Sequence, residues 1–145
     1  MLNISTLFTT DDDKRTFLRG LATIKLSDGK VADEESQFLS NAEAVIHASE
    51  RMVVIAKEYV GNHTLEECVQ SIVFKNKLQV IYFLMEAGRA AYVDGDFAPN
   101  EQKVIYAIAE RNGIDKATMQ VIEAQINREH TFFVEEEELL KDLAK

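Results

Sequence analysis

The 145-residue sequence contains one cysteine, one proline and no tryptophan, and each scarcity removes a class of protein. Cys68 alone cannot close an internal disulfide, which fits a reducing compartment and sets a cytoplasmic location as the expectation. Long apolar runs are missing too. The longest, Val80 to Met85, stops at Glu86, far short of the roughly 18–20 residues that span a bilayer, so direct membrane insertion is not expected. The opening stretch MLNISTLFTTDDDK has neither the basic region nor the apolar core of a secretory signal. Basic residues are scarce as well: 16 Lys and Arg face 25 Asp and Glu, for a formal charge of −9. Proteins that grip nucleic acid do so largely by neutralising phosphates with Lys and Arg, so no nucleic-acid partner is expected. Cations and basic protein surfaces suit this charge better.

What is present is a soluble, globular composition with 46% hydrophobic and 28% charged residues, at a length suited to one core. Apolar residues recur at spacings of three and four, the period of amphipathic helices. Phe17, Leu18, Leu21, Ile24 and Leu26 mark a helix from about Asp12 to Ser27, with Gly29 as its left-handed cap. Further helices are predicted from Asp33 to His47 and from a Ser49 cap to Gly61. A short one follows the capping box Thr64-Leu65-Glu66-Glu67. The segment Lys77 to Val93, capped by Asn76, is apolar almost all round and is expected to be the central, most buried helix. Pro99 opens another helix that closes at Gly113, and Asp115 caps the next. The tail, Phe132-Phe133-Val134 and then Glu135 to Glu138 with Leu139, Leu140 and Leu143, reads as a separate acidic amphipathic helix. The predicted fold is all-α, a bundle of about seven to eight helices in one domain. Gly20 and Gly88 fall inside predicted helices and mark close helix crossings.

Two stretches repeat. LSDGKVADEE and YVDGDFAPNE place Asp-Gly at 28 and 94, an offset of 66 residues that also relates Ala32 to Ala98 and Glu35 to Glu101. Each unit is a helix, an Asp-Gly turn, a hydrophobic residue (Val31 or Phe97) and a second helix, so an internal duplication with a pseudo-two-fold core is expected. The spacing of Gly to Glu matches the back half of a calcium-binding EF-hand loop. An EF-hand also needs oxygen ligands at its first and third loop positions. Ala90 and Tyr92 stand there in one unit, Ile24 and Leu26 in the other. Neither loop can close a calcium shell alone.

The paired block Asp-Gly-x-hydrophobic-x-x-x-Glu resembles the tellurite-resistance TerB-like family. In the second block the continuation Val104-Ile105-Tyr106-Ala107-Ile108-Ala109-Glu110-Arg111-Asn112-Gly113-Ile114-Asp115 follows that family's pattern closely. The resemblance covers roughly Lys14 to Ile122. It sets the expected domain at 14–127 and leaves the acidic helix, 128–145, packed on or extending it. Ala32 and Ala98 depart from the pattern, standing where the family often has a polar N-cap. The resemblance implies a bacterial, non-catalytic, stress-response domain whose acidic residues have been suggested to bind metal.

Asp28, Glu35, Asp94 and Glu101 are therefore the candidate metal ligands. Their hard oxygen donors suit calcium, magnesium or manganese, and no organic cofactor is expected. The local reading stands beside this one: Asp-Gly makes a good turn, and a Glu in a first helical turn is favoured by the macrodipole. The other functional reading is a metal-free helical interaction module whose acidic surface docks a protein partner. Catalysis finds no support. His47, His63 and His130 lie in separate segments without metal-ligand spacing, and Cys68 sits beside Glu66 and Glu67, which disfavour a reactive thiolate.

Overall fold

The computed structural model describes residues 4–25, 46–93 and 96–145. Over these residues the chain is all-α. A four-residue helical turn, α1 (Ile4–Leu7), precedes α2 (Asp11–Lys25), α3 (Glu50–Asn62), α4 (Leu65–Ser71), α5 (Lys77–Ala91), α6 (Pro99–Arg111) and α7 (Lys116–Leu143). Among the described residues the one extended pairing is a two-residue antiparallel ladder. It joins β1 (Tyr92–Val93) to β2 (Asp96–Phe97) in the register Tyr92 to Phe97 and Val93 to Asp96. The helix expected over Asp33 to His47 lies outside the described residues except for its last two.

Short polar side chains start these helices as their chemistry requires. Exposed amides at a helix N-terminus need acceptors, and Ser49, Thr64, Asn76 and Asp115 supply them to Met52, Glu67, Gln79 and Thr118. At Thr64 the box is reciprocal, because Glu67 Oε1 accepts from the Thr64 amide at 3.0 Å. The end of α6 is equally local. Gly113 has φ +74°, the Ile114 amide reaches back to the Ala109 carbonyl at 2.9 Å, and the Gly113 amide reaches Glu110 at 3.1 Å. That is a Schellman closure, with Ile114 and Ala109 buried together beneath it.

The core gathers on α2, which packs against α3, α4, α5 and α6. Nine of its residues are buried against seven in α5, so α2 and not the segment from Lys77 is the central helix. The reason is the outer side of α5, where Leu78 and Arg89 are exposed and Ile81, Tyr82 and Met85 only half-buried. Four phenylalanines link the elements. Phe17 meets Phe8 and Phe83 edge to face at 4.8 and 5.6 Å, and Phe74 lies 5.0 Å from Phe83. Phe17 and Phe83 are 66 residues apart, as are the fully buried Leu18 and Leu84 and the first residues of α2 and α5.

Both helical glycines named from the sequence sit at crossings. A Cβ on Gly20 would lie 2.6 Å from the Phe83 ring, and one on Gly88 would strike the Ile126 side chain of α7. Three expected boundaries are corrected. The helix from Lys77 stops at Ala91, because Tyr92 and Val93 turn extended to pair with β2, and the ladder brackets residues 94–95. Gly61 does not end α3, which runs one residue further to Asn62. The two C-terminal helices are one: no Gly or Pro interrupts residues 116–143, and α7 continues for 28 residues.

Candidate functional site

Of the four carboxylates expected to bind metal, Asp28, Glu35 and Asp94 lie outside the described residues. Glu101 is described, in the first turn of α6 behind Pro99. Its carboxylate is engaged by Lys25, the last residue of α2, whose Nζ lies 3.4 and 3.5 Å from the two oxygens. The same ammonium donates to the Ala90 carbonyl at 3.3 Å. The pair is largely removed from solvent, at 12% and 18% side-chain exposure. Lys25 thus meets a last-turn carbonyl of α5 and the anion of Glu101 in α6 together, linking α2 to both helices. Glu101 as it stands is a cation-satisfied anchor rather than a free ligand. Among the described residues no group of three or more His, Cys, Asp or Glu is arranged to hold a metal.

Cys68 lies in the interior. The thiol is 1% exposed, and burial first, with Glu67 adding to it, pushes its pKa up despite opposing effects of Thr23 and Arg19. Each histidine has its own surroundings. The His63 ring stacks on Tyr59 at 3.8 Å, His130 meets Tyr92 edge to face at 5.0 Å, and His47 takes a left-handed φ of 57°.

The surface offers more than the interior. From Thr131 onward every residue of α7 is exposed, including Phe132 at 62%, Phe133 at 65% and Leu143 at 74%. These belong to the same helix whose earlier turns bury Met119, Ile122 and Ile126 in the core. Where α7 leaves the domain, a concave pocket of about 480 Å³ opens between it and β1, lined by Arg89, Tyr92, Ile126, Glu129, His130 and Phe133. Its walls are held firmly. Arg89 forks onto Glu129, Nε to Oε2 at 2.8 Å and Nη2 to Oε1 at 3.0 Å, and also grips Glu86. The hydrogen bond to Arg89 holds the Glu129 carboxyl below its usual range, and the bond to Glu129 raises the guanidinium in return. Across the pocket, Tyr92 donates to Asn127 Oδ1 at 2.5 Å.

Open grooves also lie elsewhere. One of about 760 Å³ runs between α6 and α7 past Tyr106 and Met119, and one of about 640 Å³ runs between α4 and α6 past Leu65 and Val104. The Tyr106 hydroxyl donates to Glu123 at 2.5 Å. Burial first, then that carboxylate, pushes its pKa up to about 12.

Several of these roles carry no sequence signal. Lys25 reads as an ordinary last-turn cation, and its partner is 76 residues away. Asn112 reads as a C-cap, yet its side chain accepts from the Phe74 amide and donates to the Ile72 and Ile108 carbonyls. The exposed aromatic pair was visible in the sequence, but whether a core covers it is a question of tertiary packing. A comparison with protein-family models, curated proteins and solved structures finds no match to this chain.

Proposed function

We propose that this chain is a non-catalytic helical domain of the TerB-like, stress-response type that works as a protein-interaction module, docking its partner along α7. The observation that carries the reading is the row Phe132, Phe133, Leu139, Leu140 and Leu143, all more than half exposed on one helix. A contiguous apolar surface in water marks a place where something else sits. Among the described residues no helix is long and apolar enough to cross a membrane. The bacterial setting and the stress-response role come from the sequence resemblance, and the cytoplasmic location from the single cysteine. An internal duplication fits the same reading. It is supported by the common offset of 66 between the first residues of α2 and α5 and by the contact of Phe17 with Phe83. Elements related by a two-fold touch through equivalent residues near the axis.

Removal of residues 131–145 tests the docking role of α7. None of those side chains is buried, so the shortened chain should melt within about 3 °C of the full one. A fall of more than about 10 °C would make the segment part of the fold's own support instead.

One observation favours a second reading, a divalent cation held by Asp28, Glu35, Asp94 and Glu101. Lys25 stands three residues before Asp28 and touches both Ala90 and Glu101, so the chain entering the first Asp-Gly block runs beside the second block's flanks. The same contact sets the difficulty, since a metal ion must displace the Lys25 ammonium from Glu101. Calorimetric titration with calcium, magnesium and manganese decides it. Saturable heat that the pair Asp28→Asn and Asp94→Asn abolishes supports the site, and no heat with any of the three removes it.

A further inference from the structure

We infer that the partner of α7 is a basic amphipathic helix, anchored by an apolar side chain in the pocket beside Tyr92 and Phe133. The inference rests on the interaction reading above and names the chemistry of what docks.

Residues three and four apart are neighbours on a helix surface. The face that buries Ile122 and Ile126 in the domain continues outward through Phe133 and Leu140, flanked by Phe132, Leu139 and Leu143. Eighteen residues, 126–143, make a strip about 27 Å long. A strip of that shape matches the face of another helix, whose anchors recur at the same spacing. Its inner end is concave, and the Arg89–Glu129 fork and the Tyr92–Asn127 bond hold the pocket open before anything binds. A preformed pocket at one end of an apolar strip is where a buried anchor contributes most.

Charge then chooses among occupants. Glu136 is four and three residues after Phe132 and Phe133, and three and four before Leu139 and Leu140. It therefore stands in the middle of the strip, and anything that covers the apolar residues covers it too. Among the described residues Glu136 has no ion-pair partner, whereas Glu137 has Lys141 at 3.1 Å. A second copy of this helix would bring two Glu136 carboxylates and their acidic neighbours together, and burying like charges without a counter-ion is strongly unfavourable. An anionic bilayer repels the same residues. A partner with Lys or Arg opposite Glu135 to Glu138 converts that cost into pairing, and it steers the approach of the partner to a chain of charge −9.

The test uses the full chain and a fluorescent 21-residue helical peptide with Leu at three-four spacing and Lys or Arg elsewhere. A matched peptide carrying Glu in place of every Lys and Arg is the control. Anisotropy should show saturable binding of the basic peptide only, weakening as salt rises. Phe133→Ala with Leu140→Ala should weaken it about tenfold. Glu136→Gln should weaken it about fivefold, while Glu110→Gln, an exposed acid on α6, should change it less than twofold. Melting temperatures of these surface variants should match the parent. Absence of saturable binding, equal affinity for the acidic peptide, or equal effects of Glu136→Gln and Glu110→Gln would each overturn the inference. A neutral-pH dimer in sedimentation equilibrium that Phe133→Ala dissolves would overturn it in favour of a second copy and leave the interaction reading standing. Co-sedimentation with anionic or zwitterionic vesicles, lost with Phe133→Ala, would overturn it in favour of a membrane. A large loss of stability on removing 131–145 is the separate result that overturns the interaction reading itself.

Discussion

Gly20→Ala sets two known effects against each other, and the structure decides which wins. In an open helix this change stabilises by about 1 kcal/mol, because alanine loses less backbone entropy on folding. At Gly20 the new methyl meets the Phe83 ring at 2.6 and 2.7 Å. That ring is fully buried, with Phe17 at 5.6 Å and Phe74 at 5.0 Å, so it has no free side to move into. Overpacking of this kind costs about 1–3 kcal/mol. The net effect should be a loss of about 1 kcal/mol. Gly61→Ala is the matched control, since a Cβ there meets nothing within 4 Å. It should gain about 0.5 kcal/mol, less than the full propensity because it lies in the last turn of α3. The two variants should therefore differ by about 1.5 kcal/mol in urea melts, or roughly 3–6 °C in melting temperature. Phe83→Leu in the Gly20→Ala background should recover part of the loss, with a coupling of about 1 kcal/mol in the double-mutant cycle. If Gly20→Ala stabilises as much as Gly61→Ala, the close approach of α2 and α5 is wrong.

Asn112→Ala leaves the Phe74 amide and the Ile72 carbonyl without their side-chain partner. It should cost about 2 kcal/mol, and a loss under about 0.5 would show the clamp to be idle. Burial pushes the Asp13 carboxyl up, but hydrogen bonds from Lys75 and Thr10 and the Lys75 charge together outweigh it and hold its pKa below the ordinary value. The stability this carries is present above about pH 3.9 and is lost as pH falls through the lower folded value. Lys75→Met should therefore move the acid-unfolding midpoint to higher pH, and an unmoved midpoint would refute the pairing. Tyr106 runs the other way: with its pKa raised to about 12, its contribution is complete below about pH 10 and is lost as pH rises through 12. In a tyrosinate absorbance titration Glu123→Gln should bring that ionisation down towards 10, and no change would place the cause elsewhere.

Local chemistry explains what was legible beforehand. Thr64, Asn76, Asp115, Pro99 and Gly113 do their work within four residues of themselves, so a linear sequence carries the whole of their interaction. The glycines at crossings were legible for a related reason. A helix tolerates Gly20 or Gly88 only where something needs the room, although the sequence does not say what. The limits of the candidate metal site are different in kind. Asp28, Glu35 and Asp94 fall outside the described residues, and Glu101 met a partner from a helix 76 positions earlier in the chain.

The sequence by itself determined the all-α class, the helix caps and the acidic composition, because each rests on periodicity, composition or contacts between near neighbours. Only the tertiary structure decided which helix is central, that Lys25 closes on Glu101, and that α7 keeps going where a second helix was expected. Burial is the physical reason. An apolar stripe says that a helix face prefers to leave water, and the stripes of α2 and of α7 beyond His130 say so alike. Only the packed arrangement reveals that the first is covered and the second is not.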